Sequence, residues 1–268
     1  MVIDFHTHIF PDRIAGRTIE KLEEVGGIKS FTDGTLCGLK TSMRENAVDI
    51  SVVLPVVTKP SQFDSVNSYA AEITGKEGII SFGGIHPDTE DYCNKLDQIK
   101  NMGLLGIKLH PDYQETYIND SKMVRIIQYA TEIGLIVSIH AGLDIGLPNP
   151  IHCTPMLTAL MLDQINNEDN KIVLAHMGGY NMWASVEEYL VGRNIWLDTS
   201  YSLGKMSNEQ FIRIVENHGS DRVLFGTDSP WDGQGEALRC MNALELTEEQ
   251  REHIMGRNAM KLLGIQER

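Results

Sequence analysis

Two histidines, His6 and His8, flank Thr7 near the amino terminus. On an extended segment that spacing turns both imidazoles to one face, so two neutral nitrogens can converge on a divalent cation at about 2.0–2.1 Å. Further along stand Lys108 and His110, then His140, His176 and Asp228, each near the end of a short apolar run. His140 and Asp228 can complete a mononuclear site of three imidazoles and one carboxylate, with a position left for water. Zinc suits that mixture best, and manganese, iron and cobalt stay open because ligand type alone rarely fixes the metal. His176 is either a ligand to a second ion or an unligated base holding the water. Asp228 can both touch the metal and accept a proton.

Eight apolar, β-branched runs carry these residues: 2–5, 50–57, 79–85, 104–109, 135–139, 171–175, 194–198 and 222–226. Between them lie segments of helical period, some with recognisable caps at Thr154-Pro155, Ser207 and Thr247. Eight alternations of strand and helix, with strands too apolar to keep a wet face, predict an α/β chain folded as a (β/α)8 TIM barrel. A doubly wound sheet also alternates, but the Gly-rich phosphate turn it needs is missing. No linker or repeat divides the chain, so one domain is expected over residues 1–268. In a barrel the C-terminal strand ends form the mouth, which gathers every candidate at one place. The connection 11–36 is expected to lie over that mouth as a lid or substrate loop, and the loops 143–151 and 201–206 to set specificity.

Alternation along the fourth strand puts Lys108 and His110 on the inner face and Ile107 and Leu109 outward. An inward lysine is costly unless used, and three uses compete: a carboxylated bridge between two metals, a cation for an anionic substrate, or a plain ion pair. The substrate-binding cation, with His110 beside it, is favoured. A single histidine at a strand end is often only a hydrogen-bonded core or capping group, which is the competing reading for His86 and His110, each followed by proline. His152, His218 and His253 are expected in solvent. Cys153 beside His152 is set aside as a nucleophile, because catalytic pairs are assembled in space rather than along the chain.

Asp and Glu exceed Lys and Arg by 37 to 23 among 268 residues, a net charge of −14 that disfavours a nucleic-acid partner. No apolar stretch reaches the length of a membrane span, and the first residues do not read as a secretory leader. Four scattered cysteines fit a reducing compartment, so a cytoplasmic location is expected. The expected partner is a small-molecule substrate, with no membrane involved; a homodimer is an open option.

The ordered set His6-Thr7-His8-Ile9-Phe10-Pro11, His140-Ala141-Gly142, His176-Met177-Gly178-Gly179 and Gly226-Thr227-Asp228-Ser229-Pro230-Trp231 resembles the amidohydrolase superfamily. The nearer likeness is to its amidohydrolase-related branch, which includes aminocarboxymuconate-semialdehyde decarboxylase-like enzymes. The resemblance runs from residue 4 to about residue 260 and implies a distorted barrel with one or two divalent metals and a metal-activated water. It also implies that His6, His8, His140 and Asp228 are metal ligands, and that His176 activates water or joins a second metal. Gly106-Ile107-Lys108-Leu109-His110-Pro111 is closer to hydrolase-like members of the branch than to the decarboxylases. TatD-type deoxyribonucleases share much of the pattern but expect glutamate where Lys108 stands. The resulting expectation is a metal-dependent hydrolase of an amide, lactone or ester of a small anionic compound, with Asp228, His176 and Lys108 catalytic. The alternatives are a metal-dependent non-oxidative decarboxylase of an aromatic or unsaturated acid, a nuclease, and a non-catalytic metal-binding barrel.

Overall fold

The structure is a computed structural model that describes residues 1–165 and 171–266. Its strands are β1 (Ile3–Thr7), β2 (Ile50–Val53), β3 (Ile79–Ser81), β4 (Gly83–Gly84), β5 (Gly106–Leu109), β6 (Ile136–Ile139), β7 (Ile172–Leu174), β8 (Trp196–Asp198) and β9 (Val223–Leu224). All pair in parallel, in the orders β1-β2-β3 and β4-β5-β6-β7-β8-β9. Backbone bonds lace the two groups together. Phe82 donates to the Val53 carbonyl at 2.9 Å on one side, and Phe5 donates to that of Phe225 at 2.8 Å on the other. A parallel bridge between Thr7 and Ser229 extends the second seam.

Helices α1 (Asp12–Gly26), α2 (Leu36–Glu45), α3 (Phe63–Ile73), α4 (Tyr92–Asn101), α5 (Ser121–Glu132), α6 (Pro155–Leu162), α7 (Trp183–Tyr189), α8 (Asn208–His218) and α9 (Gln234–Ala243) fill the connections. Thr154 and Ser207 cap α6 and α8 as expected, each accepting a backbone N–H with its hydroxyl. Among the described residues no helix is long and apolar enough to cross a membrane.

Strand alternation sorts the core into two layers. Phe5, Val52, Ile136, Val173, Trp196 and Leu224 form one cluster drawn from six strands, which is the barrel interior. Ile107, Leu109, Val137, Ile139, Leu174 and Leu197 pack on the opposite face against helical residues such as Ile126, Ile127, Phe211 and Ile214. Lys108 thus shares the inner side of β5 with Gly106. A Cβ at Gly106 would lie 2.4 Å from the Ile136 carbonyl oxygen and 2.6 Å from the Phe82 ring, so glycine is required there.

The structure corrects three expectations. The run 79–85 is two short strands broken at Phe82, where Asn67 takes over part of the pairing by binding both Gly84 N–H and Gly84 C=O at 2.9 Å. The connection 11–36 is largely a 15-residue helix, α1, whose buried Ala15 and Ile19 were masked in the sequence by interleaved charges. His218 is not in solvent. It is 1% exposed, accepts from Gly192 N–H at 3.2 Å and donates from Nε2 to the Ile195 carbonyl at 3.0 Å. His152 and His253 are half-buried.

Burial, helped by the nearby Arg222 charge, lowers the His218 pKa to about 4. The unfolded chain therefore binds a proton that the folded chain refuses between about pH 6.5 and 4, and stability falls as pH drops through that window. The full shift corresponds to about 3 kcal/mol. Urea melts of wild type and His218→Gln across this range are expected to show a shallower acid slope in the variant. Parallel slopes would remove His218 as the cause.

Candidate metal centre

The predicted residues all stand at or just beyond strand ends. His6 lies within β1 and His8 one residue past it; Lys108 is in β5, with His110 immediately after. His140 follows β6, His176 stands two residues past β7, and Asp228 lies beyond β9. His8, Lys108, His110, His140, His176 and Asp228 line one open cavity of about 1410 Å³. Two of them are held by unusual backbone: His176 at φ 59° and Asp228 at φ 74° occupy the left-handed region. Asp228 N–H donates to the His6 carbonyl at 2.8 Å, and His176 N–H to Asp198 Oδ1 at 3.2 Å, so neighbouring strands fix both turns.

Three ligand atoms meet at the end of β1. His6 Nε2 and His8 Nε2 are 3.1 Å apart, and Asp228 Oδ1 lies 3.3 Å from the first and 3.1 Å from the second. Their far sides explain this crowding. His8 Nδ1 faces the Leu54 carbonyl at 2.8 Å and His6 Nδ1 faces Asp198 Oδ2 at 2.9 Å. Acceptors there place the ring proton on Nδ1, which leaves each neutral Nε2 as a bare lone pair aimed at the other and at a carboxylate oxygen. Lone pairs packed so closely repel unless a cation is shared, and outer acceptors of this kind orient metal-bound histidines. The trio fits a divalent ion.

His140 does not join that trio. Its Nδ1 lies 3.0 Å from His176 Nε2, and the His176 ring in turn lies 5.4 Å from His6. His176 Nδ1 donates to the Ser200 carbonyl at 3.0 Å, so His176 Nε2 accepts from His140 Nδ1. His140 Nε2 is then a lone pair, and it is buried without a partner, 4.0 Å from Asp112 Oδ2, which is equally unpartnered. Burial holds His6, His110 and His140 well below the ordinary imidazole range, so they stay in the neutral form that binds metals. Burial opposes ionisation of Asp228, but its close approach to His8 and His6 outweighs it and lowers its pKa.

His110, His140 and Asp144 also stand close enough to suggest a second ion. The His110 and His140 rings, however, stack at 4.0 Å with only 11° between their planes. Imidazole lone pairs lie in the ring plane, so stacked rings cannot converge on one cation. Both His110 nitrogens are also engaged: Nδ1 accepts from Tyr113 N–H at 3.3 Å and Nε2 faces Asp144 Oδ2 at 3.3 Å. His86 Nδ1 accepts from Asp88 N–H at 3.1 Å, so it braces its own loop as a hydrogen-bonded capping group.

Lys108 is 1% exposed, with Nζ 3.3 Å from His6 Nε2 and, among the described residues, no ion pair to a carboxylate. Burial lowers its pKa to about 8 against the opposing pull of Asp198 and Asp228. The plain ion-pair use is thereby removed. Cys153 is buried and its thiol is pushed up to about 12, so it is no nucleophile.

Sequence reading missed Asp198, Ser200, Asp112 and Asp144. Asp198 ends β8 as the other candidates end their strands, a signal that was present. Ser200 Oγ reaches both His6 Nδ1 at 2.9 Å and His176 Nδ1 at 3.0 Å and bonds Asp198, tying the two histidine groups together. Asp112 and Asp144 sit in loops, where spacing carries no signal.

Asp112→Asn tests the buried pair. Were an ion held by the trio also to draw on His140 Nδ1, the ring proton would move to Nε2, which faces Asp112 Oδ2 at 4.0 Å. The substitution is expected to weaken manganese or zinc binding about tenfold or more in titration calorimetry. Unchanged affinity would show that Asp112 does not orient His140.

A sequence-family model described as Amidohydrolase matches residues 3–265. No functionally curated protein matches the sequence. Solved structures match over nearly the whole chain. A dihydroxybenzoic acid decarboxylase from a Polaromonas species, solved with bound manganese, superposes with a TM-score of 0.74 at 15% identity, covering 100% of this chain and 98% of that one. The 5-carboxyvanillate decarboxylase of Sphingomonas paucimobilis gives 0.70 at 14% identity and 99% of both chains. An uncharacterised TIM-barrel protein from Bordetella bronchiseptica gives 0.73 at 17% identity and 98% of both. The fold is thus that of a TIM barrel.

Proposed function

The chain belongs to the amidohydrolase family, and from that premise we propose that it is a metal-dependent enzyme that releases the carboxyl group of a small aromatic or unsaturated acid as carbon dioxide, without redox chemistry. The observation that carries this is Lys108, a buried cation that, among the described residues, has no carboxylate partner and lies beside the three ligand atoms. An unpaired buried charge is expensive, and a substrate carboxylate offsets it. The decarboxylases among the structural neighbours support the same choice over hydrolysis.

A divalent cation held by His6, His8 and Asp228, with His140 beside them, would supply Lewis acidity toward the oxygens of the acid. Manganese, bound in the Polaromonas neighbour, joins zinc as a leading candidate. The protein's own groups do the rest. Lys108 orients the carboxylate by charge. Loss of carbon dioxide breaks a carbon–carbon bond and leaves its electron pair on carbon, which must take a proton. With a pKa of about 8, Lys108 is mostly protonated at neutral pH yet can give that proton up. His176 braces His140. The four free cysteines support a cytoplasmic setting.

Hydrolysis is the second reading, and Asp228 favours it. An ionised carboxylate beside the ligand histidines can take a proton from an attacking water, a role that hydrolysis needs and decarboxylation does not. With manganese-loaded enzyme in heavy-oxygen water, decarboxylation is expected to release one carbon dioxide per turnover and put no solvent oxygen in the organic product. Solvent oxygen in the product without carbon dioxide would assign hydrolysis. Chelation is expected to abolish turnover, and Lys108→Gln to lower kcat/KM by about 10²-fold or more. Lys29→Gln, at an exposed site, should stay within about twofold.

A further inference from the structure

We propose that the substrate carries a second anionic group, carboxylate or phosphate, at the far end of an extended apolar body, and that this group docks on Arg13, Arg17 and Lys21 of α1. The inference rests on the reading of the cavity floor as the place where the reacting carboxylate sits. A cavity of about 1410 Å³ exceeds the roughly 300–1,000 Å³ typical of pockets for drug-sized ligands, and far exceeds one aromatic ring. Something longer is accommodated.

Helix α1 shows what that longer molecule looks like. Its buried residues, Ala15 and Ile19, face the core. Ile14, Leu22 and Val25 line the cavity together with Arg13, Arg17 and Lys21. The three cations recur every fourth residue and form one stripe, about 6 Å apart along the axis. The helix also carries Asp12, Glu20, Glu23 and Glu24, and none of these lines the cavity. Four carboxylates and three cations on one helix are thus sorted, cations toward the cavity, in a chain of net charge −14.

Several cations elsewhere are paired, although among the described residues Lys76 and Lys261 are not. Lys29, Lys40, Lys95, Lys122, Arg193 and Arg213 each face a carboxylate. Arg13, Arg17 and Lys21 are exposed and have no hydrogen bond or ion pair among the described residues. Unpaired cations along a wall that also presents Ile14, Leu22 and Val25 fit an amphipathic dianion. Its first anion meets Lys108 and its second the α1 stripe.

The test uses manganese-loaded protein and titration calorimetry at low and high salt. Linear dicarboxylates from succinate to sebacate are compared with monocarboxylates of equal length and with ω-phosphonate analogues. At least one longer dianion is expected to bind about tenfold tighter than its monoanionic match, and salt should erase the difference. The triple variant Arg13→Gln, Arg17→Gln, Lys21→Gln should lose that advantage and leave the monocarboxylate Kd unchanged. Preference for the phosphonate or the carboxylate identifies the far group. The proposal is overturned if no dianion is favoured in wild type, or if the advantage survives in the triple variant. Metal-dependent monocarboxylate binding without a dianion advantage rejects the stripe and leaves the decarboxylase reading intact. A stripe-dependent dianion advantage with no metal-dependent monocarboxylate binding supports the stripe and rejects the floor.

Discussion

Two imidazole lone pairs and a carboxylate oxygen lie within 3.3 Å of one another at the end of β1, and much of the surrounding structure holds that contact in place. Left alone, three acceptors of this kind would turn apart. Asp198 and the Leu54 carbonyl prevent the histidines from rotating by occupying their other nitrogens. The left-handed backbone at Asp228, tied to the His6 carbonyl, prevents the carboxylate from withdrawing. Side-chain, backbone and strand-order constraints thus converge on a cation-shaped gap, and the barrel interior beneath it is packed with Phe5, Val52, Ile136, Val173 and Trp196, which leave it little freedom to relax.

Ser200 makes the two halves of the site one unit. Its hydroxyl contacts His6, His176 and Asp198, so the trio and the His140–His176 pair share a single outer support. Lys108 enters from β5 between them, and the glycine two residues earlier exists to admit the Phe82 ring rather than for any chemistry. Packing and function therefore alternate along the same short strand.

The fold was legible because parallel strands buried on both faces read as apolar runs, and the His6–His8 pair was legible because alternation is rigid over two residues. Lys108 was placed correctly for the same reason. Legibility ends where geometry depends on loops. Asp112 and Asp144 reach the site from irregular backbone, and α1 hid behind its own charges, since its buried face is only Ala15 and Ile19. His218 was misjudged because its surroundings, the Ile195 carbonyl and Gly192 N–H, come from another connection. His140 stands where its strand predicts, yet its partners follow from ring tautomers that no spacing rule contains.

The seam between the first and last strands has a consequence for folding. Asp4 takes hydrogen bonds from Thr227, 223 residues away, and the same seam sets His6 against Asp228. Contacts of such sequence separation form only when nearly the whole chain has been ordered. An ion captured between His6, His8 and Asp228 therefore binds the closed ring and not a partly assembled one. It acts as a clasp across the chain's two ends, and occupancy adds its binding free energy to global rather than local stability.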